Sequence, residues 1–303
     1  MDNPDLILGT ALWGWTIDQD ACFQLLDNFY ESGFRQIDCA TNYPINQDPH
    51  AFRKAEHILK EWIRAHRVSD LRLLIKVGSL NNLGGAENNL SRSFLLMNLA
   101  DYQEAFGANL ETFMIHWDNR DSEAAVAESM EALQLAHQQG LTPGLSGIRH
   151  PEIYAALNQT FLLPFRIQIK HNILQSAFAH YQSFHGKAEF LTYGTNAGGL
   201  KLNRVYRKES SIQVRNIAPD LLLNIQHKLE EILKSSTDNG RPPLAHFFQL
   251  GMLFSYYLDQ VTGILIGPSN ADQLKENIRC WSLLQSVDYR DLYQKLRLLE
   301  IPA

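Results

Sequence analysis

The chain lacks any CxxC pair. Its three cysteines, Cys22, Cys39 and Cys280, are odd in number and far apart. That argues against a disulfide framework or a zinc ribbon and makes a reducing cytoplasm the expected compartment. No apolar run approaches the roughly 20 residues of a membrane span. Met1-Asp2-Asn3-Pro4-Asp5 has neither the basic nor the apolar region of a signal peptide. Basic charge is not in excess either: 27 Lys and Arg against 33 Asp and Glu give a net charge of −6. Neither nucleic acid nor a membrane is therefore an expected partner. The 11 histidines contain no HExxH, so no metal is expected.

What is present is alternation. Short apolar runs alternate with stretches of helical period along the whole chain. The strands expected are Leu6–Thr10, a second ending at Ile37-Asp38, a third ending at Lys76, a fourth ending at His116, then Gly144–Ile148, Phe165–Ile169, Glu189–Tyr193 and Thr262–Ile266. The helices expected between and after them cover about 19–32, 49–67, 86–105, 122–138, 151–157, a segment near Ser176, 219–236, 243–258, 270–284 and 287–299. A polar, partly basic insert occupies about 201–218. Eight strand–helix units without a linker imply right-handed crossovers and a parallel sheet. They predict one (β/α)8 TIM barrel over 1–303 with extra helices and a long loop after strand seven, its active site at the carboxyl ends of the strands. An open doubly wound sheet is disfavoured, because no GxGxxG follows the first strand; the chain there reads Gly9-Thr10-Ala11-Leu12-Trp13-Gly14-Trp15.

Four polar residues at strand ends have no packing reason to be there. Asp38, Lys76 and His116 each close an apolar run, and Tyr43 follows Asp38 by five positions. On neighbouring parallel strands they would meet at one rim. Asp38 can pair with Lys76, and the Lys76 charge is expected to lower the Tyr43 pKa toward working pH. Tyr43 can then act as general acid toward a developing alkoxide, with His116 orienting the carbonyl. No side chain supplies hydride, so a nicotinamide cofactor is implied.

In identity, order and spacing, Asp38, Tyr43, Lys76 and His116, with Ile115-His116-Trp117-Asp118 around the last, resemble the catalytic tetrad of the aldo-keto reductases. The resemblance runs from Leu8-Gly9-Thr10 to Glu276-Asn277. It implies an NAD(P)H-dependent reductase of a small-molecule aldehyde or ketone. It implies that Gly9 and Thr10 approach the cofactor, that Ser146 and Gln168 bind its carboxamide, and that Tyr193 stacks on the nicotinamide. The loop Gly194–Leu200, with Gly194, Gly198 and Gly199, is similar to the pyrophosphate turn. Leu265–Asn277 resembles the adenosine-phosphate motif of bacterial members and potassium-channel β-subunits, with Ser269 and Gln273 toward the ribose phosphate and Glu276 and Asn277 toward adenine.

The sequence departs from the family pattern at two places. Gly147 stands where an Asn often follows the carboxamide serine, and Gly267 and Gln273 stand where Lys and Arg often clamp the 2′-phosphate. Arg204, Arg207 or Arg215 of the insert could compensate, and NADPH is expected in preference to NADH. Trp13, Trp15 and Trp117 are expected to wall an apolar substrate pocket. Two other functions fit parts of the pattern: a cofactor-binding regulatory subunit with little turnover, and a Schiff-base lyase using Lys76. The sequence names neither the substrate nor the oligomeric state.

Overall fold

The structure is a computed structural model and describes residues 3–85, 87–197 and 219–299. Within them the chain lays down β1 (Asp5–Gly9), α1 (Gln19–Glu31), β2 (Gln36–Ala40), α2 (Lys54–His66), β3 (Arg72–Val77), α3 (Arg92–Phe106), β4 (Leu110–His116), α4 (Glu123–Gln138), β5 (Thr142–Ser146), α5 (Pro151–Phe161), β6 (Arg166–Asn172), β7 (Gln175–Ser176), β8 (Glu189–Tyr193), α6 (Pro219–Lys234), α7 (Phe247–Tyr256), β9 (Val261–Ile266), α8 (Ala271–Ser286) and α9 (Arg290–Arg297). Gly198, Gly199 and the 201–218 insert lie outside the described residues.

Eight strands pair in the order β5-β4-β3-β2-β1-β9-β8-β6, and β5 pairs with β6 to close the ring. All eight pairings are parallel. The fold is the expected (β/α)8 barrel. Each strand is buried on both sides, because helices cover its outer face and barrel filling covers its inner face. Ile7, Leu74, Met114, Leu191 and Leu265 form the inner layer. Gly144 faces it without a side chain, and a Cβ there would collide with Met114. The larger core lies outside the ring, under the helices; Leu8, Leu25, Leu59, Leu99 and Leu133 are among its residues.

Three expected helices come out differently. The segment near Ser176 is not α-helical: Asn172 Oδ1 accepts from Leu174 N and Gln175 N (3.0 Å each) and turns the chain back as β7, antiparallel to β6. Short 3-10 turns over Phe178–Phe184 follow. The 49–67 helix is split, because the Arg53 amide donates to Thr41 O (3.1 Å) and Arg53 takes a left-handed conformation (φ 65°). Only Lys54–His66 is α-helical. The third begins at Arg92, where the Ser91 hydroxyl caps Phe94 N. The fifth strand ends at Ser146, two residues earlier than expected, since Gly147 turns at φ 70°. No helix among the described residues is long and apolar enough to cross a membrane.

Candidate active site

Register brings the polar strand ends together. Ala40 pairs with Lys76, Lys76 with Met114, His116 with Ser146 and Ser146 with Gln168. Asp38, Lys76 and Gln168 reach inward to one another. Lys76 Nζ lies 2.5 Å from both Asp38 carboxylate oxygens and 3.2 Å from Gln168 Oε1. Gln168 Nε2 donates to Asp38 Oδ1 at 2.5 Å. Lys76 and Asp38 are only 1 % and 2 % exposed. Charges this deep persist because they are paired and because further hydrogen bonds take up the remaining polar sites.

Tyr43 stands on the loop after β2, its ring 4.9 Å from Lys76 Nζ and 6.4 Å from the His116 ring. Its hydroxyl is not turned acidic by the lysine. Burial, and then the Asp38 carboxylate, hold the Tyr43 pKa well above its usual 10. The expected lowering does not appear because burial disfavours the phenolate, and the Asp38 carboxylate adds to that. A buried phenol next to a compensated cation keeps its proton. His116 is driven the other way: burial, and then Lys76, depress it well below 6.5, so its imidazole is neutral. His116 Nδ1 is buried without a partner, and the ring lies against Trp117 at 4.7 Å.

Asp38, Tyr43, His116 and Gln168 border a cavity of about 300 Å³, whose lining does not include Lys76. Among the expected site residues, Gly9, Asp38, Tyr43, His116, Trp117, Ser146, Gln168, Tyr193 and Gly194 line it. The others sit elsewhere. Thr10 is fully buried and donates to Asp38 O (2.9 Å), bracing β1 against β2. Trp13 is fully buried in the outer core, and Trp15 is 44 % exposed outside the lining. Ser269, Gln273, Glu276 and Asn277 do not line it; they follow the lining residues Gly267 and Pro268 in the chain, before and within α8. There the Ser269 amide donates to Gln273 Oε1 (2.9 Å), and Asn277 Nδ2 donates to Gln273 O.

Sequence reasoning missed the anchors of the segments that carry Tyr43 and His116. Beneath Tyr43, buried Glu56 accepts from Arg53 Nε (2.9 Å) and from Tyr102 OH (2.8 Å), and Ala55 N donates to Tyr43 O. Beyond His116, buried Asp118 accepts from Arg120 and from Tyr154 OH (2.7 Å). Trp117 takes φ 60°. A Cβ on Gly147 would fall 2.5 Å from Trp117 Cδ1, so the glycine leaves the space that the indole fills. Leu12, Ile17 and Ile45 also line the cavity and were not foreseen. Ile45, two residues after Tyr43, carried the nearest thing to a signal.

The model of the Aldo/keto reductase family matches residues 5–295. A shorter similarity is to an uncharacterised 11.2 kDa protein in the crtE 3′ region of Pseudescherichia vulneris. It is 36 % identical over 78 residues, covering 25 % of this chain and 76 % of that protein.

Proposed function

The chain belongs to the aldo/keto reductase family, whose members are carbonyl-reducing oxidoreductases, and on that premise we propose that it reduces an aldehyde or ketone with NAD(P)H, Tyr43 serving as general acid. The observation that carries this reading is the buried Lys76–Asp38 pair beside a tyrosine and a neutral histidine that share one cavity. The residues suit a nicotinamide dinucleotide. An amide (Gln168), a hydroxyl (Ser146) and an aromatic ring (Tyr193) border the same cavity, which matches a carboxamide on a flat ring. Ser269 and Gln273 sit where a helix N-terminus favours an anion. NADPH is proposed in preference to NADH.

When bound, the cofactor supplies the hydride. The chain supplies the rest. Neutral His116 donates a hydrogen bond that orients and polarises the carbonyl oxygen. Tyr43 keeps its proton until negative charge develops on that oxygen, then transfers it. Lys76, fixed by Asp38 and Gln168, keeps positive charge beside the phenol and stabilises the tyrosinate left behind. Asp38 and Gln168 hold that ammonium and do not touch substrate in this scheme.

Titration with NADPH and NADH, followed by tryptophan fluorescence, tests the cofactor; Trp117 lies in the cavity wall. Aldehyde-dependent oxidation of the bound cofactor tests the reaction. Saturable binding with turnover supports the proposal. Binding without turnover of a broad aldehyde and ketone panel would favour the regulatory alternative, and no binding would reject both.

A further inference from the structure

Four large hydrophobic side chains stay exposed on three consecutive loops at the mouth of the barrel. They are Trp15 after β1, Ile45 after β2, and Leu80 and Leu83 after β3, each 44–49 % accessible. Scattered apolar residues on a surface need no explanation, but a contiguous set beside a cavity does. The loops are laced together. Ile45 N donates to Ala11 O (3.1 Å), and Asn82 Nδ2 donates to Pro44 O (3.2 Å), Asn46 Oδ1 (2.8 Å) and Asp48 O (2.7 Å). Asn88, which bridges to Ser79, donates through Nδ2 to Trp117 O (2.5 Å). Trp117 and Ile45 thus belong both to this rim and to the cavity lining.

The cavity wall on that side continues the same chemistry. Leu12, Ile17, Ile45 and Trp117 are apolar, and of the described lining residues only Asp38 is charged, its charge already matched by Lys76. Among the described lining residues there is no cation for a substrate carboxylate or phosphate. The polar lining groups are those that the proposed reaction and cofactor use, which leaves none for the hydroxyls of a sugar.

Resting on the reductase reading, we propose that the substrate is a neutral carbonyl compound with a hydrocarbon tail, its tail lying against Ile45 and Trp117 and out over Leu80 and Leu83. Removing a methylene from water is worth about 0.8 kcal/mol, a factor of about four. On a half-exposed rim the gain is roughly two- to fourfold in kcat/KM for each added carbon.

The test measures kcat/KM for n-alkanals from butanal to octanal, with glyceraldehyde and glyoxylate as polar and anionic comparators. The wild-type protein should gain with every methylene and turn over both comparators more slowly than butanal. In the double variant Leu80→Ser/Leu83→Ser the slope with chain length should flatten, while Met97→Ser on α3, exposed elsewhere, should leave it intact. A flat series, faster turnover of either comparator, or an unchanged slope in the double variant would overturn the proposal. A parallel series of n-alkanols, bound to the protein and followed by tryptophan fluorescence, separates the two readings. Without any aldehyde turnover the reductase function falls, and the alkanol affinities still decide whether the rim prefers longer chains.

Discussion

The two ends of the barrel both carry acids and bases, but they use them differently. At the amino ends of the strands, Asp5, Gln36, Arg72, Glu111, Arg166 and Glu189 form a chain of contacts. Gln36 Nε2 donates to Asp5, and Arg72 reaches Glu111 (2.6 Å) and Asp5 (3.7 Å). Arg166 reaches Glu111 (2.9 Å), Glu189 (2.8 Å) and Thr112 (2.9 Å). Several of these charges face water, and each has more than one partner or a solvated one. At the carboxyl ends a single lysine and a single aspartate are shut away from water against a cavity, beside an imidazole with an unpartnered nitrogen. The lower end closes the barrel. The upper end concentrates unspent polarity where a ligand can meet it, the division expected of this architecture.

Lys76→Met should have the largest effect. It strands the Asp38 carboxylate in a site 2 % exposed and should cost roughly 3–5 kcal/mol in urea unfolding, along with reductase activity. Adding Asp38→Asn should recover much of the stability and none of the activity. Unchanged unfolding of Lys76→Met would show that the pair is not structurally tight.

Acid should act chiefly through the upper end. His116 is held well below 6.5, and burial brings His171, at the end of β6, down to about 4. A depressed folded-state pKa gives stability that is complete above about pH 6.5 and lost as pH falls, because the unfolded chain binds the proton first. His171 alone accounts for a loss on the order of 3 kcal/mol between pH 6.5 and 4. The slope of stability against pH should be shallower in His171→Gln, and an identical slope would contradict the assignment.

Arg166→Gln tests the lower end. It should cost about 1–3 kcal/mol, since Glu111 and Glu189 lose a partly buried partner. Its kcat/KM should stay within about twofold of the parent, and a large catalytic loss would erase the contrast drawn between the two ends. The smallest effect is expected from Gly147→Ala, about 1–2 kcal/mol for the left-handed backbone. Because the new methyl displaces the Trp117 indole, KM for a long-chain alkanal should rise more than kcat falls.

The barrel and the upper end were legible because each strand is a short apolar run, and a buried lysine or aspartate closing such a run has no other reason to be there. The turn at Asn172 was not legible: it depends on one side-chain amide capturing two backbone N–H groups, which leaves no periodic trace. Trp13 and Trp117 look alike in sequence, each following a barrel strand. Only the backbone turn at 10–17, with Trp13 N donating to Thr10 O and Gly14 N to Ile17 O, sends the first into the core. The direction of the Tyr43 pKa was misjudged for a similar reason. Lys76 is visible as a charge in the chain, but the burial that holds the phenol protonated is a property of the fold.

In the proposed reduction the Tyr43 hydroxyl delivers the proton to the carbonyl oxygen. This step is tested most directly in Tyr43→Phe, by single-turnover oxidation of bound NADPH with an aldehyde alongside the affinity for NADPH. The account predicts an affinity within about twofold of the parent and oxidation slowed by roughly 10²–10⁴. Oxidation at the parent rate, with NADPH bound as tightly, would contradict it.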